Sequence, residues 1–122
     1  MKKVSVILFA ALAVMAGAAA QAAPSTSVQY ACQNGKRVTV SYSFNRQELP
    51  TKAVAVVNGK RRIMPINLGR SDNIDTFFGK DGGYRLVTSY MDRKNFRTLP
   101  VMITDNRDRI VFKDCEPRRA RY

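Results

Sequence analysis

The sequence contains no histidine and no tryptophan, and it has only two cysteines among its 122 residues. Without histidine, the chain lacks the side chain that most often serves as general base and as zinc ligand in small enzymes. Two cysteines cannot complete a tetrahedral cysteine-rich zinc site. The only glutamates, Glu48 and Glu116, stand in no recognisable catalytic constellation. The sequence therefore predicts a protein that is not an enzyme and that uses neither a metal nor a cofactor.

Three aspartates offer the strongest counter-argument to that prediction. Asp72, Asp75 and Asp81 could supply a carboxylate pair or oxygen ligands for calcium. Aspartates in turns more often cap backbone groups, and these three lack the regular spacing of a calcium loop. We therefore interpret them as turn residues.

Long hydrophobic runs are also scarce, because only residues 4–16 form one, interrupted by Ser5. Lys2 and Lys3 precede this run and Ala20-Gln21-Ala22 follows it, which is the pattern of a secretory signal peptide. We expect cleavage after Ala22, and the alternative is an N-terminal anchor that stays attached. The mature chain, residues 23–122, is then a single domain with a short, flexible, basic C-terminal end at residues 118–122.

Acidic residues are few relative to basic ones. The chain has 21 Lys+Arg against 9 Asp+Glu and a formal charge of +12, which becomes +10 when Lys2 and Lys3 leave with the signal peptide. Such an excess indicates an anionic partner without identifying it. Exposed clusters of this kind, such as Lys60-Arg61-Arg62, also occur simply as solvated surface.

The two cysteines, Cys32 and Cys115, lie near the two ends of the mature chain. In an exported protein only one intramolecular disulfide can form between them. Their spacing is not the Cys-x-x-Cys of a redox pair. A structural disulfide that closes a long loop is therefore favoured.

Alternation of apolar and polar residues is the dominant pattern after residue 22. Val38, Val40 and Tyr42 fall on one face of a predicted strand. Asn34-Gly35 and Asn58-Gly59 favour tight hairpin turns, because both central positions need positive φ. Further turns are predicted at residues 81–83 and 105–108. The predicted strands cover residues 28–32, 38–44, 52–57, 60–68, 74–78, 84–91, 96–104 and 109–115.

No helical stripe of useful length follows the signal peptide, so the predicted fold class is all-β. Pro65 and Pro100 fall inside predicted strands, which indicates edge strands or bulges at these two positions. An antiparallel meander of this size avoids leaving unpaired edge strands by closing into a small barrel or a tight sandwich. A disulfide between Cys32 and Cys115 would then join the first strand to the last.

Short stretches spread over nearly the whole mature chain match a known family of exported proteins: Tyr30-x-Cys32-x-x-Gly35-Lys36-x-Val38-x-Val40-x-Tyr42, residues 56–61, residues 64–68, Ser71-Asp72-Asn73, Phe77-x-Gly79-Lys80-x-Gly82-Gly83-Tyr84, residues 102–104 and residues 110–115. They resemble the neisserial adhesin complex proteins, which are secreted relatives of the periplasmic and membrane-bound inhibitors of c-type lysozyme in Gram-negative bacteria. The resemblance implies an eight-stranded antiparallel β-barrel. It also implies a protein of the periplasm, the outer-membrane surface or the medium that inhibits host lysozyme by loop insertion and also acts as an adhesin.

In the lysozyme inhibitors, a Ser-Gly-x-x-Tyr motif and a lysine on the next strand reach into the lysozyme cleft. Here the motif is altered and residues 86–88 contain no lysine, so Lys80 or Arg85 is expected to supply the cation. The resemblance implies this lysozyme-binding set: Ser71, Asp72, Asn73, Phe77, Lys80, Asp81, Tyr84 and Arg85. Because c-type lysozymes are themselves basic, net charge opposes such a complex, and the aspartates of this region would offset the repulsion locally.

A second interpretation needs no lysozyme. The basic patches would then bind anionic polymers of a host or cell surface, and the protein would be an adhesin only. Nucleic acid is disfavoured as a partner, because export removes the protein from it and no aromatic residues alternate with the cations. The oligomeric state is left open by the sequence.

Overall fold

The computed structural model describes residues 26–118. The predicted signal peptide, residues 1–22, and residues 119–122 of the basic end lie outside the described residues. Within the described range, no helix is long and apolar enough to cross a membrane.

The described chain forms eight antiparallel strands joined into a nearly closed barrel. The bounds of the strands are β1 Ser27–Ala31, β2 Arg37–Phe44, β3 Pro50–Val57, β4 Lys60–Pro65, β5 Asp75–Phe78, β6 Arg85–Ser89, β7 Val101–Thr104 and β8 Ile110–Pro117. In spatial order the strands run β4-β3-β2-β1-β8-β7-β6-β5. The predicted all-β barrel with eight strands is confirmed.

The core is built from the apolar residues that alternate along the strands. In β2, Val38, Val40 and Tyr42 are buried, and the residues between them are exposed or half-buried. The barrel interior collects one face of every strand, and its largest fully buried side chains are Tyr30, Tyr42, Phe78, Met64, Leu86, Met91 and Ile103. Period-two patterning therefore decides which residues point inward.

Both Asn-Gly turns adopt the predicted backbone conformation. Asn34 and Gly35 have φ of 55° and 73°, and Asn58 and Gly59 have φ of 51° and 79°. At the second turn Val57 pairs directly with Lys60, so two residues suffice to connect β3 and β4.

One predicted strand is much shorter in the structure. The pattern predicts a strand over residues 96–104, but only Val101–Thr104 is extended. The Asp92 carboxylate accepts the backbone N–H groups of Lys94 and Asn95, which bends the chain into a turn. Phe96 lies in this turn and still packs into the core, 5.0 Å from the ring of Phe44. In the sequence Phe96 therefore looks like a buried strand residue, although its backbone lies in a turn.

The two prolines lie where the ladders weaken. β4 ends at Pro65, on a terminal strand of the sheet order. Pro100 directly precedes β7, whose pairing with β8 shifts register between Val101 and Ile103 and again before Thr104. Both positions tolerate a residue without a backbone N–H.

The junction between β1 and β8 is short and is closed covalently. Only Tyr30 and Ala31 of β1 pair with β8. The Cys32–Cys115 disulfide lies at this junction and confirms the predicted cross-link. The Gln33 amide adds to it, since it donates to the carbonyl of Val111 and accepts from the N–H of Lys113.

Candidate functional site

The barrel closes between β4 and β5, and this junction, hereafter the seam, organises most of the predicted site. Ile66 and Phe78 form an isolated antiparallel bridge. On either side, the Gly79 N–H donates to the Pro65 carbonyl at 2.6 Å and the Asn67 N–H donates to the Phe77 carbonyl at 2.8 Å. The seam is thus a narrow ladder rather than a full strand pair.

Ser71 holds the seam from inside the loop that joins β4 to β5. Its hydroxyl donates to the Asn67 carbonyl at 2.8 Å and accepts the Phe77 N–H at 2.9 Å. The side chain is half-buried. The structure therefore brings Ser71 and Phe77 together, but it engages the serine hydroxyl and the Phe77 backbone within the fold.

Asp72 and Asn73 form the exposed tip of the same loop. One Asp72 oxygen accepts the N–H groups of Ile74 and Asp75, both at 2.8 Å. These two hydrogen bonds hold the pKa of the Asp72 carboxyl below its usual value. Asp72 therefore shapes the loop, whereas the amide of Asn73 lies on the surface.

Lys80 begins the turn between β5 and β6, which the Gly83 N–H closes onto the Lys80 carbonyl at 3.0 Å. Gly79, just before it, has φ of +97°, and a Cβ there would lie 2.1 Å from the Tyr84 carbonyl oxygen. Only glycine permits this approach of two backbones. The Lys80 side chain is exposed at this turn.

Arg85, the other predicted cation, is occupied by acidic partners. It forms ion pairs with Asp81 and with Asp108, and its side chain is only 17% exposed. Asp81 also accepts from Arg70 Nε at 2.8 Å, and this guanidinium holds the pKa of the Asp81 carboxyl below its usual value. Asp81 and Arg85 are thus brought together in a surface network that largely neutralises both charges.

Tyr84 lies at the other side of the Lys80 turn and contacts β4. Its hydroxyl accepts from Asn58 Nδ2 at 3.0 Å and from Arg62 Nη2 at 3.2 Å. The Arg62 guanidinium carbon lies 4.0 Å from the centre of the Tyr84 ring, in cation–π geometry. Arg62 donates through Nε to the Val57 carbonyl as well, which fixes its orientation.

A surface pocket of about 390 Å³ opens between β4 and the Lys80 turn. Its lining residues are Arg61, Arg62, Ile63, Pro65, Gly79, Lys80, Gly83 and Tyr84. We refer to this group as the seam pocket. Two of its lining residues, Pro65 and Gly79, are joined by the hydrogen bond of the seam.

Comparison with known proteins agrees with this architecture. A family model described as an ACP-like domain matches residues 26–117. The chain belongs to the ACP-like family. Among solved structures, the adhesin complex protein from Neisseria meningitidis is 54% identical to this chain. The match covers 77% of this chain and all of that one, with a TM-score of 0.72. No curated protein matches the chain.

The basic patch of this ACP-like domain divides into two parts in the structure. Lys60 and Arg61 are exposed, whereas Arg62 is half-buried against Tyr84. In the sequence Arg62 belongs to a run of cations, and nothing there connects it directly with Tyr84, which is 22 positions away. The sequence signal for this contact is the Asn58-Gly59 turn, because a two-residue hairpin sets the register of β4 against β3 and thereby the position of Arg62.

The acidic residues of the ACP-like domain are dispersed among turns and strands, with Asp75 in β5 and Asp114 and Glu116 in β8. Within residues 26–118, no group of three or more histidine, cysteine or acidic side chains is arranged to hold a metal ion. Asp72 and Asp81, two of the aspartates considered above, already bind backbone N–H groups or arginines.

Proposed function

We propose that this ACP-like protein is exported to the periplasm, the cell surface or the medium, and that it inhibits host c-type lysozyme there by inserting the Lys80 turn into the active-site cleft. Three observations support the proposal: the family membership, the high identity to an adhesin complex protein, and the resemblance of the sequence to the lysozyme inhibitors.

The observation that carries the proposal is the contrast between Lys80 and Arg85. Both were candidates for the cation that meets the lysozyme carboxylates. Arg85 is shielded and paired with two aspartates, whereas Lys80 is exposed at a turn. Among the described residues Lys80 forms no ion pair, so its charge is available to a partner.

The chemistry of this contact is simple charge compensation. A c-type lysozyme cleft contains two carboxylates, and an ammonium group placed between them forms charge-assisted hydrogen bonds. The glycines that flank Lys80 keep the turn narrow enough to enter a concave site. Asn73, at the neighbouring loop tip, is an exposed polar side chain that would contact the rim of the cleft.

A lysis assay with the mature protein tests the proposal. Purified residues 23–122 are expected to block lysozyme in a dose-dependent way, and Lys80→Gln is expected to weaken inhibition roughly tenfold, as loss of a central charged contact does. Lys94→Gln removes another exposed lysine from a different turn and is expected to leave inhibition unchanged. Undiminished lysis at a large molar excess of the wild-type protein would overturn the proposal.

Adhesion to anionic surfaces is a second candidate, favoured by a separate observation. Lys60 and Arg61 are both exposed at one end of β4, and no ion pair within the described residues neutralises them. The similar neisserial protein is named an adhesin complex protein. We propose that these two cations contribute to binding of anionic host-cell polymers.

This second function predicts salt-sensitive binding to cells. Raising ionic strength from about 0.05 M to about 0.5 M should weaken binding, because screening shortens the range of the attraction. The double variant Lys60→Glu/Arg61→Glu should lose most of the binding, and lysozyme inhibition should survive in it. Cell binding that is unchanged both by salt and by charge reversal would exclude this adhesive function and would not affect the proposed lysozyme inhibition.

A further inference from the structure

The seam pocket has an unusual charge composition for so small a site. Three of its lining residues are cations, Arg61, Arg62 and Lys80, and none of its lining residues is acidic. Among the described residues these three form no ion pair, although the nearby Arg70 and Arg85 both do. Three unpaired cations around one pocket create a positive potential that attracts an anionic group.

Arg62 is held in place while most of its donors stay unused. A guanidinium has five N–H donors. Nε of Arg62 donates to the Val57 carbonyl and Nη2 donates to the Tyr84 hydroxyl. The stacking on the Tyr84 ring keeps the planar group rigid. The remaining N–H groups are therefore oriented in advance for an acceptor, which lowers the entropic cost of binding one.

The Tyr84 hydroxyl supplies a further donor. Its oxygen already accepts two hydrogen bonds, from Asn58 and Arg62. Both lone pairs of the oxygen are used, so its proton must point toward a third group. No residue in the described part of the chain accepts that proton, and Tyr84 lines the seam pocket. The pocket thus contains a neutral donor beside its cations.

One wall of the pocket is apolar and open. Ile63 is 53% exposed, and Pro65 beside it is exposed as well. Exposed aliphatic surface next to fixed polar donors is typical of a site that takes a ligand with one apolar face and several oxygens. A pyranose ring has this character, because its C–H groups can pack on Ile63 and Pro65.

We infer that the seam pocket binds one acidic sugar residue, with its carboxylate or sulfate on Arg61, Arg62, Lys80 and the Tyr84 hydroxyl and its ring against Ile63 and Pro65. This inference deepens the adhesive function proposed above and rests on that function for its biological role. It names the chemical group that is recognised on an anionic glycan, and it adds Arg62 and Tyr84 to the two exposed cations.

Titration of the mature, isotope-labelled protein with monosaccharides tests the inference. Methyl glucuronide carries a carboxylate, glucose 6-sulfate carries a sulfate, and methyl glucoside is neutral. At least one acidic sugar should shift the amide signals of residues 61–63 and 79–85 in a saturable way, and the neutral sugar should not. Whichever acidic sugar binds more tightly identifies the source of the anionic group.

Inorganic sulfate separates sugar recognition from simple anion binding. The ion lacks the ring that packs on Ile63 and Pro65, so it should bind several-fold more weakly than the better acidic sugar. Equal affinity for the bare ion and the acidic sugars would overturn the assignment to a sugar. Absence of saturable shifts with both acidic sugars would overturn the site itself.

Two variants and one matched control confine the binding to the pocket. Tyr84→Phe removes the hydroxyl but keeps the ring that supports Arg62, and Arg61→Gln removes an exposed charge; each is expected to weaken binding roughly fivefold to tenfold. Arg46→Gln makes the same charge change in the exposed turn between β2 and β3, outside the lining of the pocket, and should have no effect. If Tyr84→Phe and Arg61→Gln bind as tightly as the wild type, the proposed pocket is wrong.

Cell binding then distinguishes this inference from the function on which it rests. Loss of sugar binding in Tyr84→Phe with unchanged cell adhesion would mean that the pocket exists but does not mediate adhesion. Salt-sensitive adhesion by a wild-type protein that binds neither acidic sugar would retain the adhesive function and reject the pocket.

Discussion

The hydroxyl oxygens of Tyr30 and Tyr42 lie 2.6 Å apart inside the barrel, and both side chains are almost completely excluded from solvent. The two residues come from neighbouring strands, and each satisfies the polar end of the other's ring. Burial raises the pKa of Tyr30 to about 12, and burial together with the neighbouring tyrosine raises the pKa of Tyr42 well above its usual value. The largely apolar core thus contains a pair of hydroxyls whose two members depend on each other.

Replacing one member of this pair should lower the free energy of unfolding by more than half of the loss that replacing both members causes. Tyr42→Phe leaves the Tyr30 hydroxyl buried without this partner, so we expect a loss of about 1–3 kcal/mol in the free energy of unfolding. The double variant Tyr30→Phe/Tyr42→Phe should lose less than the sum of the two single losses, because no orphaned hydroxyl remains. Urea unfolding of the four proteins measures this coupling, and strictly additive losses would contradict it.

The same pair predicts loss of stability in alkali. Both tyrosine pKa values are raised on folding. As pH rises, the unfolded chain therefore releases these protons first, near the ordinary tyrosine pKa of 10.0. The contribution to stability is fully present below about pH 10 and declines as pH rises toward about 12. Unfolding midpoints measured from about pH 8 to about pH 11.5 should fall steeply above about pH 10. The double phenylalanine variant should show a shallower decline.

Gly79→Ala should destabilise the seam far more than Gly82→Ala. Both glycines have positive φ, but a Cβ at Gly79 meets the Tyr84 carbonyl oxygen at 2.1 Å, whereas one at Gly82 meets nothing within 4 Å. We expect a loss of about 1 kcal/mol for Gly82→Ala from backbone strain alone and of at least about 3 kcal/mol for Gly79→Ala. Thermal or urea unfolding checks this, and equal losses would show that the backbones separate easily at the seam.

Ser71→Ala tests whether the serine acts in the fold. The hydroxyl bridges Asn67 and Phe77, so its removal should lower the free energy of unfolding by about 1–3 kcal/mol. Asn73→Ala, at the exposed tip of the same loop, should change stability by less than about 0.5 kcal/mol. A variant Ser71→Ala of wild-type stability that inhibits lysozyme poorly would show instead that the hydroxyl serves the partner.

Removal of the disulfide should have the largest effect on stability. The bond closes a loop of 83 residues, and on the chain-entropy model it disfavours the unfolded state by about 4.5 kcal/mol. A Cys32→Ser/Cys115→Ser variant should therefore unfold at much lower urea concentration than the oxidised protein. The strand pairing between β1 and β8 is short, with Tyr30 and Ala31 as its β1 members, so amide exchange should accelerate first at that junction. A loss below about 1 kcal/mol would mean that the rest of the junction suffices.

Local patterns predicted most of the fold because each strand contains its own signal. Alternation along β2 identified its buried face, and two Asn-Gly pairs identified turns that the structure contains. The prediction for residues 96–104 was too long because the burial of Phe96 was assigned to a strand. The side-chain hydrogen bonds of Asp92, which make the turn, are a local event that hydrophobic periodicity does not record.

The candidate site was less predictable, since its character depends on contacts between distant segments. Lys80 and Arg85 are equivalent as cations in the sequence, and only the positions of Asp81 and Asp108 show that one of them is paired. Ser71 is a different case, because its partners Asn67 and Phe77 lie near it in the sequence, yet periodicity does not show that its hydroxyl joins them. Family resemblance supplied the region of the site but not the state of each side chain.

The sequence by itself determined the all-β class, the single disulfide, the tight turns and the excess of positive charge, because these follow from composition, period and local backbone preference. The tertiary structure alone decided which of those charges are available. Closure of the barrel at the seam places Arg62 against Tyr84 and Arg85 between two aspartates, and it leaves Lys80 and Arg61 exposed beside an open pocket. The physical reason is that contacts such as Arg62–Tyr84 and Arg85–Asp108 join segments 22 and 23 positions apart in the sequence, and the distances between such segments are set by strand pairing.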